Sequence, residues 1–371
     1  MNTAFGIIQP SRRDFYIEGM GDFRTIGAFS FMGRYRLIDF PISNMTNSEI
    51  EQIQVYIKRK PMTMVEHLGS GRHYNINSKR GKLHLLFSQS TSEHDIYNTD
   101  IASYVDNMQS ILDMNQQYVI IAPSYMIYRA NYSELLDQHV ESGADVTLLY
   151  HTVDNAKDAF LNCNTLTLNK QKGLLSIDQN HGTAKNRNIL MDTYILKKDL
   201  FIDLVKRAKK TSSLYTLADI LNDSRNDLDI RGVSHRGFFA CINNLQSYYE
   251  ANLSLINSDL VSDLFKEDWP IYTKTNDSCP TRYFETAKVT SSVISNGCQI
   301  EGTVINSVIG RDCIIKKDTV VKDSIVLAGA IIEEGVHVEK YIIDKRAHLT
   351  HIKDLSAPCD SIGYVRKGDV L

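Results

Sequence analysis

The first two thirds of the chain alternate between short apolar runs and segments whose apolar residues recur at helical spacing. The apolar runs occupy residues 4–8, 53–57, 118–122 and 146–150. Segments with helical periodicity lie between them, and Thr99 is a suitable N-cap for the one at residues 99–112. Continuous apolar strands that alternate with helices predict an α/β domain, Rossmann-like and built on a mostly parallel sheet.

In the last part of the chain the hydrophobic period changes to six residues. The unbroken series comprises Val308, Ile314, Val320, Val326, Ile332 and Val338. Ile294 and Ile300 show the same step two residues out of phase, as a short insertion would produce. A hexapeptide period is typical of a parallel left-handed β-helix, in which each repeat places one short strand on a triangular prism. We therefore predict a sheet domain at residues 1–257, a linker at 258–285 and a β-helix at 286–371.

Composition limits the functional classes. The formal net charge is −3, which gives no electrostatic footprint for nucleic acid or for an anionic membrane surface. No apolar run approaches a membrane-spanning length, and the N-terminus lacks the regions of a signal peptide. The six cysteines are scattered without a C-x-x-C pair, which favours a reducing compartment over a disulfide framework or a zinc site. We expect a cytoplasmic protein that binds neither nucleic acid nor membrane.

The most specific motif is GRYRLIDFPISN at residues 33–44. A glycine turn presents Arg34 and Arg36, and a helix and a buried strand follow, as in one unit of a nucleotide-binding sheet. The motif resembles the G-[KR]-[YF]-R-[LI]-I-D-F-x-[LI]-S-N block of the glucose-1-phosphate adenylyltransferases, the ADP-glucose pyrophosphorylases of glycogen and starch synthesis. The resemblance covers nearly the whole chain. It implies a nucleotidyltransferase sheet of the GT-A-like type followed by a left-handed β-helix.

The resemblance also locates catalytic residues that this chain lacks. The two family aspartates that hold magnesium correspond here to Tyr125 and Cys241. A phenol, whose pKa is near 10, and a soft thiol are poor ligands for a hard divalent cation. The family's glycine-rich phosphate loop is replaced by QPSRR at residues 9–13, and its K-P-A-V-P lysine is absent. We expect no metal to be bound by this chain.

The sugar-phosphate pocket of the family is altered as well. Its glutamate and lysine correspond to Gln179 and Asn180, and the glycine of its A-S-M-G strand corresponds to Asp192. We interpret these three residues as a vestigial sugar-phosphate pocket. Asp192 is the one new carboxylate near that pocket, and it is interpreted most simply as a solvated or capping residue.

Three arginines could still bind a ligand. Arg34 and Arg36 are retained at the glycine turn, and Arg24 lies close to the family's basic activator-binding segment. Guanidinium groups bind phosphate esters well, so we hypothesise a phosphorylated-sugar effector site or a subunit contact at these arginines. The alternative is that they pair with carboxylates such as Asp39 and brace the fold.

A retained scaffold with a dismantled catalytic site predicts a regulatory, catalytically impaired subunit of ADP-glucose pyrophosphorylase, of the type called GlgD in bacteria. Adenylyl transfer depends on positioning and on charge neutralisation by metal and cations, which this chain has largely lost. The resemblance implies a tetramer, so we expect a heterotetramer with a catalytic subunit that carries Mg²⁺. Two alternatives remain open: an active sugar-1-phosphate nucleotidyltransferase with a relocated metal site, and a non-enzymatic exchange-factor-like subunit.

Overall fold

The computed structural model describes residues 3–12, 15, 17, 19–77, 79–88, 97–256, 258–358 and 361–371. The strands of the N-terminal part are β1 (Ala4–Gln9), β2 (Ser30–Phe31), β3 (Tyr35–Arg36), β4 (Gln52–Ile57), β5 (Lys82–Phe87), β6 (Tyr118–Pro123), β7 (Met126–Tyr128), β8 (Val146–Val153), β9 (Asn164–Leu168), β10 (Leu174–Gln179), β11 (Arg187–Lys197), β12 (Ile230–Ser234) and β13 (Phe239–Cys241). The helices are α1 (Met20–Phe23), α2 (Asp39–Asn47), α3 (Met62–Leu68), α4 (Asp100–Asp106), α5 (Met108–Leu112), α6 (Tyr132–Ser142), α7 (Lys198–Thr211), α8 (Leu217–Asp223), α9 (Leu245–Ser254) and α10 (Ser258–Leu264).

One large sheet organises the N-terminal domain. Its order is β10-β9-β11-β6-β1-β4-β5. Off this path, β8 pairs with β11, and β12 pairs with β8. Strands β6, β1, β4 and β5 are parallel, as the alternation of apolar runs and helices predicts. Strand β11 runs antiparallel to both β6 and β8, so the sheet is mixed.

Helices cover both faces of this sheet, which explains why its central strands are apolar along their whole length. Phe5 of β1 packs in one core with Tyr104 of α4 and Phe201 of α7. Ile8 of the same strand faces a second core, which contains Phe40 of α2. Alternate residues of β1 therefore serve opposite layers.

The polar end of the GRYRLIDFPISN motif has a structural role. The side-chain amide of Asn44 donates to the carbonyl oxygen of Tyr128 at 2.9 Å, and its oxygen accepts from the Trp269 indole at 3.0 Å. The hydroxyl of Ser43 accepts from the backbone N–H of Tyr272 at 2.9 Å. These contacts attach the segment after α10 to helix α2.

The C-terminal domain is the predicted β-helix, made of three five-stranded parallel sheets. Its strands are β14 (Arg282–Tyr283), β15 (Lys288–Thr290), β16 (Val293–Ile294), β17 (Gln299–Ile300), β18 (Thr303–Ile305), β19 (Val308–Ile309), β20 (Ile314–Ile315), β21 (Val320–Lys322), β22 (Ile325–Val326), β23 (Ile331–Ile332), β24 (His337–Glu339), β25 (Tyr341–Ile343), β26 (His348–Leu349), β27 (Asp354–Ser356) and β28 (Gly363–Val365). The first of these strands lies within the segment predicted as a linker.

The six-residue pattern marks the strands but not always the inward side chains. Ile315 and Val321 are fully buried in the β-helix interior, whereas Ile314 and Val320 are only partly buried. The reason is a five-residue step between the inward-facing Val321 and Val326, which shifts the phase by one residue. From there on the inward residues coincide with the predicted series.

The β-helix packs directly against the sheet domain. Val308, Ile325, Leu327 and Ile342 join the core that contains helix α2. Gly33 has φ 68°, and a Cβ atom there would lie 2.8 Å from the carbonyl oxygen of Ile309. This approach requires glycine at the start of the motif. Within the described parts of the chain, no helix combines the length and the apolar character needed to cross a bilayer.

Candidate functional site

The structure brings Tyr125 and Cys241 to the same place. Tyr125 follows strand β6, and Cys241 ends strand β13, which pairs antiparallel with β7 so that Cys241 lies opposite Met126. The backbone N–H of Ile242 donates to the carbonyl oxygen of Tyr125 at 2.9 Å. Both side chains are buried. The two positions that the resemblance assigns to magnesium ligands are therefore neighbours in space.

Asp192 occupies the centre of this place. Strand β11 shifts register between Leu190 and Thr193, and Asp192 has a left-handed backbone with φ 42°, as in a β-bulge that redirects one side chain. One oxygen of its carboxylate accepts a hydrogen bond from the Tyr125 hydroxyl, and the other accepts from the Tyr194 hydroxyl at 3.2 Å. The side chain of Asn164 also donates to this carboxylate. Asp192 is 4% exposed, so it is neither solvated nor a helix cap.

Burial disfavours the charged forms of the side chains at this site. Burial raises the pKa of Asp192, against the opposing effects of Arg12 and the hydrogen bonds it accepts. Burial, followed by the neighbouring Asp192, raises the pKa of Tyr125 well above its ordinary value. Burial and the Cys163 thiol, whose Sγ lies 3.5 Å away, raise the pKa of Cys241.

These residues do not fit a magnesium ion. A hard divalent cation takes oxygen ligands, preferably carboxylates, with lone pairs free to coordinate it. Tyr125 and Cys241 keep their protons, and both oxygens of Asp192 accept hydrogen bonds from the protein. Among the described residues, no group of three or more histidine, cysteine or acidic side chains is arranged to hold a metal.

A cleft of about 350 Å³ opens beside this network and is called the sheet-domain cleft. It is lined by Gln9, Pro10, Ser11, Arg12, Lys58, Asn98, Thr99, Asp100, Asn164, Gln179, Asp192, Tyr194, Thr216, Ala218 and Asp219. Two carboxylates of this cleft already accept hydrogen bonds from backbone N–H groups at the starts of helices. Asp100 accepts from the backbone N–H groups of Ile101 and Leu217, and Asp219 forms a capping box with Thr216.

The vestigial sugar-phosphate residues separate in the structure. Gln179 and Asp192 both line the sheet-domain cleft. Asn180 is buried outside it, and its amide nitrogen donates to the carbonyl oxygens of Ala156 and Phe160 at 2.8 and 3.0 Å. Asn180 therefore braces the loop before β9.

Arg24 differs from the other two arginines because it is paired with a carboxylate. Its guanidinium forms an ion pair with Asp344 of the β-helix at 2.6 Å, and the two side chains are 2% and 0% exposed. This contact corresponds to the bracing alternative, although the partner is Asp344 and not Asp39. Asp39 binds His67 and the Tyr74 hydroxyl.

Arg34 and Arg36 line a second cleft, of about 240 Å³, between the sheet domain and the β-helix. We call it the interdomain cleft. Its lining is Ser30, Gly33, Arg34, Tyr35, Arg36, Glu66, His67, Lys274, Thr275, Asn276, Arg311, Asp312, Ala328 and Lys345. The lining includes five arginine and lysine side chains, besides His67, and two carboxylates. None of these five arginine and lysine side chains forms an ion pair with a described acidic residue.

Backbone carbonyl groups position the cations of the interdomain cleft. The Arg36 guanidinium donates to the carbonyl oxygens of Ala28 and Thr63 at 3.1 and 3.3 Å. The Arg311 guanidinium donates to those of Arg34 and Lys274 at 3.2 and 3.4 Å. Carbonyl groups orient a guanidinium without neutralising it. The cleft therefore keeps a positive potential suited to an anion.

Burial, together with neighbouring positive charge, has lowered three pKa values here. Burial lowers the pKa of Arg36, with Arg24 contributing, and burial lowers that of Arg311, with Arg34 contributing. The pKa of Lys345 falls to about 7 for the same reasons. Bound negative charge would relieve this repulsion.

Sequence reasoning missed Lys274, Arg311 and Lys345. Each lies in the linker or in a β-helix loop, more than 230 residues from Arg34 along the chain. A single basic residue at a β-helix corner has no distinguishing local pattern. Only the docking of the β-helix on the motif identifies these residues.

Comparison with known proteins agrees with this architecture. A family model described as "Nucleotidyl transferase" matches residues 26–160, and one described as "GlmU-like, C-terminal hexapeptide" matches residues 280–355. The chain is 31% identical over 322 residues to glycogen biosynthesis protein GlgD of Geobacillus stearothermophilus, which covers 85% of this chain and 82% of that protein. It is 27% identical over 369 residues to GlgD of Bacillus subtilis (strain 168), covering 99% and 96% of the two chains.

A further relative is a glucose-1-phosphate adenylyltransferase. The protein from Clostridium botulinum (strain Alaska E43 / Type E3) is 32% identical over 304 residues, covering 78% of this chain and 77% of that protein. The chain belongs to the family of the glycogen biosynthesis protein GlgD and the glucose-1-phosphate adenylyltransferases.

Proposed function

We propose that this chain is a regulatory, catalytically impaired subunit of ADP-glucose pyrophosphorylase in bacterial glycogen biosynthesis. The complete enzyme would convert ATP and glucose 1-phosphate to ADP-glucose and pyrophosphate. The observation that carries the proposal is the hydrogen-bonded unit of Tyr125, Asp192 and Tyr194, which lies where a metal would be needed. The proposal assigns magnesium and turnover to a catalytic partner subunit, in a heterotetramer.

The regulatory part of the proposal is supported by the interdomain cleft. Its cations come from the sheet domain, the linker and the β-helix, so an anion bound there would contact all three. Such a ligand stabilises the arrangement of the domains in which these contacts coexist, and in this way a binding event can bias an assembly. We propose a phosphorylated sugar as the effector, because phosphate groups match guanidinium donors.

The catalytic part is tested by magnesium-dependent pyrophosphate release from ATP and glucose 1-phosphate. Two samples are assayed: the chain alone, and the chain mixed with the catalytic subunit. The catalytic subunit mixed with an equal mass of serum albumin is the control. We expect no turnover by the chain alone and a changed kcat, KM or effector response of the partner. Turnover by the chain alone at an ordinary enzyme rate would favour an active transferase with a relocated metal site. An unchanged partner would contradict a regulatory role.

The effector part needs a separate experiment on the assembled complex. Sugar monophosphates and bisphosphates are titrated into complexes that carry the native chain or the Arg36→Ala/Arg311→Ala variant. We expect the variant to require at least about tenfold more effector, because two charged hydrogen-bond donors contribute more than about 1.4 kcal/mol. Lys206→Ala/Lys210→Ala at the end of α7 removes two cations elsewhere and serves as the control. Equal responses of native and cleft variant would refute binding at this cleft.

A further inference from the structure

The side chain of Lys345 is partly buried and lies near several positive charges. It lies in the loop between β25 and β26, and its Nζ has no hydrogen-bond or ion-pair partner among the described residues. The adjacent Asp344 does not neutralise it. The Asp344 carboxylate accepts from the Arg24 guanidinium, from the Lys345 backbone N–H and from the Tyr364 hydroxyl.

The charges around Lys345 favour its neutral amine. Burial is the largest cause, and the positive charges of Arg36, Arg24 and Lys367 act in the same direction against Asp344. The pKa of Lys345 is lowered to about 7. At neutral pH the neutral amine, with its free lone pair, is therefore far more abundant at Lys345 than at a lysine of ordinary pKa. Desolvation beside other cations is a recognised way of making a lysine nucleophilic.

The same cleft has the features that attract a phosphate group. Arg34, Arg36, Lys274 and Arg311 line it together with Lys345, and a volume of about 240 Å³ admits a small phosphorylated molecule. A nucleophilic amine and an anion site thus share one cavity. A reagent that joins an electrophilic carbon to a phosphate would be held by the cations with its carbon near the amine.

We propose that Lys345 is a modification site at which an acyl phosphate acylates the side-chain amine. The lone pair of Nζ attacks the carbonyl carbon and forms a C–N bond. The bond between that carbon and the bridging oxygen breaks, and inorganic phosphate leaves with the electron pair into the cation cluster. The amine proton passes to solvent, and the product is a neutral amide.

This inference rests on the proposed effector site and adds a way of regulating it. Acylation makes the Lys345 side chain permanently neutral and adds bulk to the interdomain cleft. Both effects weaken the binding of a phosphorylated effector. A phosphorylated sugar bound in the cleft would in turn protect Lys345 from acylation.

The test uses the full chain and two acetyl donors. The chain is incubated with acetyl phosphate or with uncharged phenyl acetate, and acetylation of Lys345 and of the exposed Lys288 is followed by peptide mass spectrometry. We expect acetyl phosphate to label Lys345 at least about tenfold faster than Lys288, because the cations that bind its phosphate group hold its carbonyl carbon beside the amine. The preference for Lys345 should be smaller with phenyl acetate, which has no phosphate to recognise.

Two further measurements show whether phosphate binding in the interdomain cleft causes the selective labelling of Lys345. Inorganic phosphate at millimolar concentration should slow labelling of Lys345 by acetyl phosphate and leave Lys288 unchanged. Arg36→Ala should also slow it, because the variant loses a phosphate contact and a source of repulsion on the amine. The variant Lys345→Arg, which keeps a cation but cannot be acetylated in this way, controls for the assignment of the modified peptide.

The outcomes separate this inference from the proposed function. Labelling of Lys345 no faster than Lys288, or labelling that inorganic phosphate does not slow, overturns the acylation site. If sugar phosphates still bind to the native chain in calorimetry, the effector site stands without it. If they do not bind and phosphate gives no protection, both proposals fail.

Discussion

The hydroxyl of Tyr125 donates a hydrogen bond to the carboxylate of Asp192, across the end of strand β6. The phenol stands where the family resemblance expects a metal-binding aspartate, and the carboxylate comes from a strand where the family has glycine. A buried carboxylate needs hydrogen-bond donors, and Tyr125 supplies one of them. The pair therefore stabilises the domain at the place where its relatives are expected to hold a cation.

Tyr125→Phe should destabilise the chain. The variant keeps the ring but removes one donor to a buried carboxylate, which costs about 1–3 kcal/mol. Urea unfolding of both chains measures the loss. Tyr283→Phe, which removes the hydroxyl of an exposed tyrosine in β14, should change the free energy of unfolding by less than about 0.5 kcal/mol. Equal midpoints for native chain and Tyr125→Phe would mean that this hydrogen bond adds nothing to stability.

Asp192→Asn should change how stability depends on pH. Burial raises the pKa of Asp192, so the folded state retains a proton that the unfolded chain has released. Between the ordinary value of about 4 and the raised value, the free energy of unfolding falls with rising pH, by up to about 1.4 kcal/mol per unit. The variant lacks this contribution, so its disadvantage relative to the native chain should be largest at acidic pH and shrink as pH rises.

Urea midpoints of both chains between pH 4 and pH 7 provide the check. Asp137→Asn on the exposed face of α6 supplies a carboxylate substitution at the surface for comparison. A difference between native chain and Asp192→Asn that stays constant over this range would contradict a raised pKa.

Asp344→Asn should strongly lower the free energy of unfolding. It leaves the Arg24 guanidinium, which is 2% exposed, without its counter-charge, and breaking a buried pair costs about 3–5 kcal/mol. The double variant Arg24→Met/Asp344→Asn should lose less than the sum of the single variants. A double-mutant cycle by urea unfolding gives the coupling energy.

The exposed pair of Arg231 and Asp229 is the control for this prediction. Its side chains are 42% and 43% exposed, and Asp229→Asn should cost about 1 kcal/mol or less. Strictly additive effects of Arg24→Met and Asp344→Asn would show that the interdomain pair does not stabilise the docking of the β-helix.

Neighbouring isoleucines in β20 should respond very differently to truncation. Ile315 is fully buried inside the β-helix, so Ile315→Ala should cost about 2–5 kcal/mol. Ile314 is partly exposed, and Ile314→Ala should cost about 1 kcal/mol or less. Thermal and urea unfolding of the two variants measures the contrast. A larger loss for Ile314→Ala would mean that the six-residue series points inward at this strand.

The sequence by itself determined the architecture. Apolar strands, helical periodicity and the six-residue step are local patterns, and each is fixed by which residues must leave water. The motif at residues 33–44 identified the family because it combines buried positions with polar braces such as Asn44. The replacement of two expected aspartates by Tyr125 and Cys241 could also be inferred from the sequence, because each lies beside a strand whose apolar pattern is preserved.

Only the tertiary structure decided which contacts stand in place of the expected metal-binding residues. A bulge in β11 turns Asp192 towards Tyr125, and no periodicity reports the direction of a bulged residue. Arg24 and Asp344, far apart along the chain, become partners only when the β-helix docks. The cation cluster of the interdomain cleft arises in the same way. Hydrophobic pattern specifies which faces are buried, whereas charge pairing depends on which distant side chains the packed domains bring within a few ångströms.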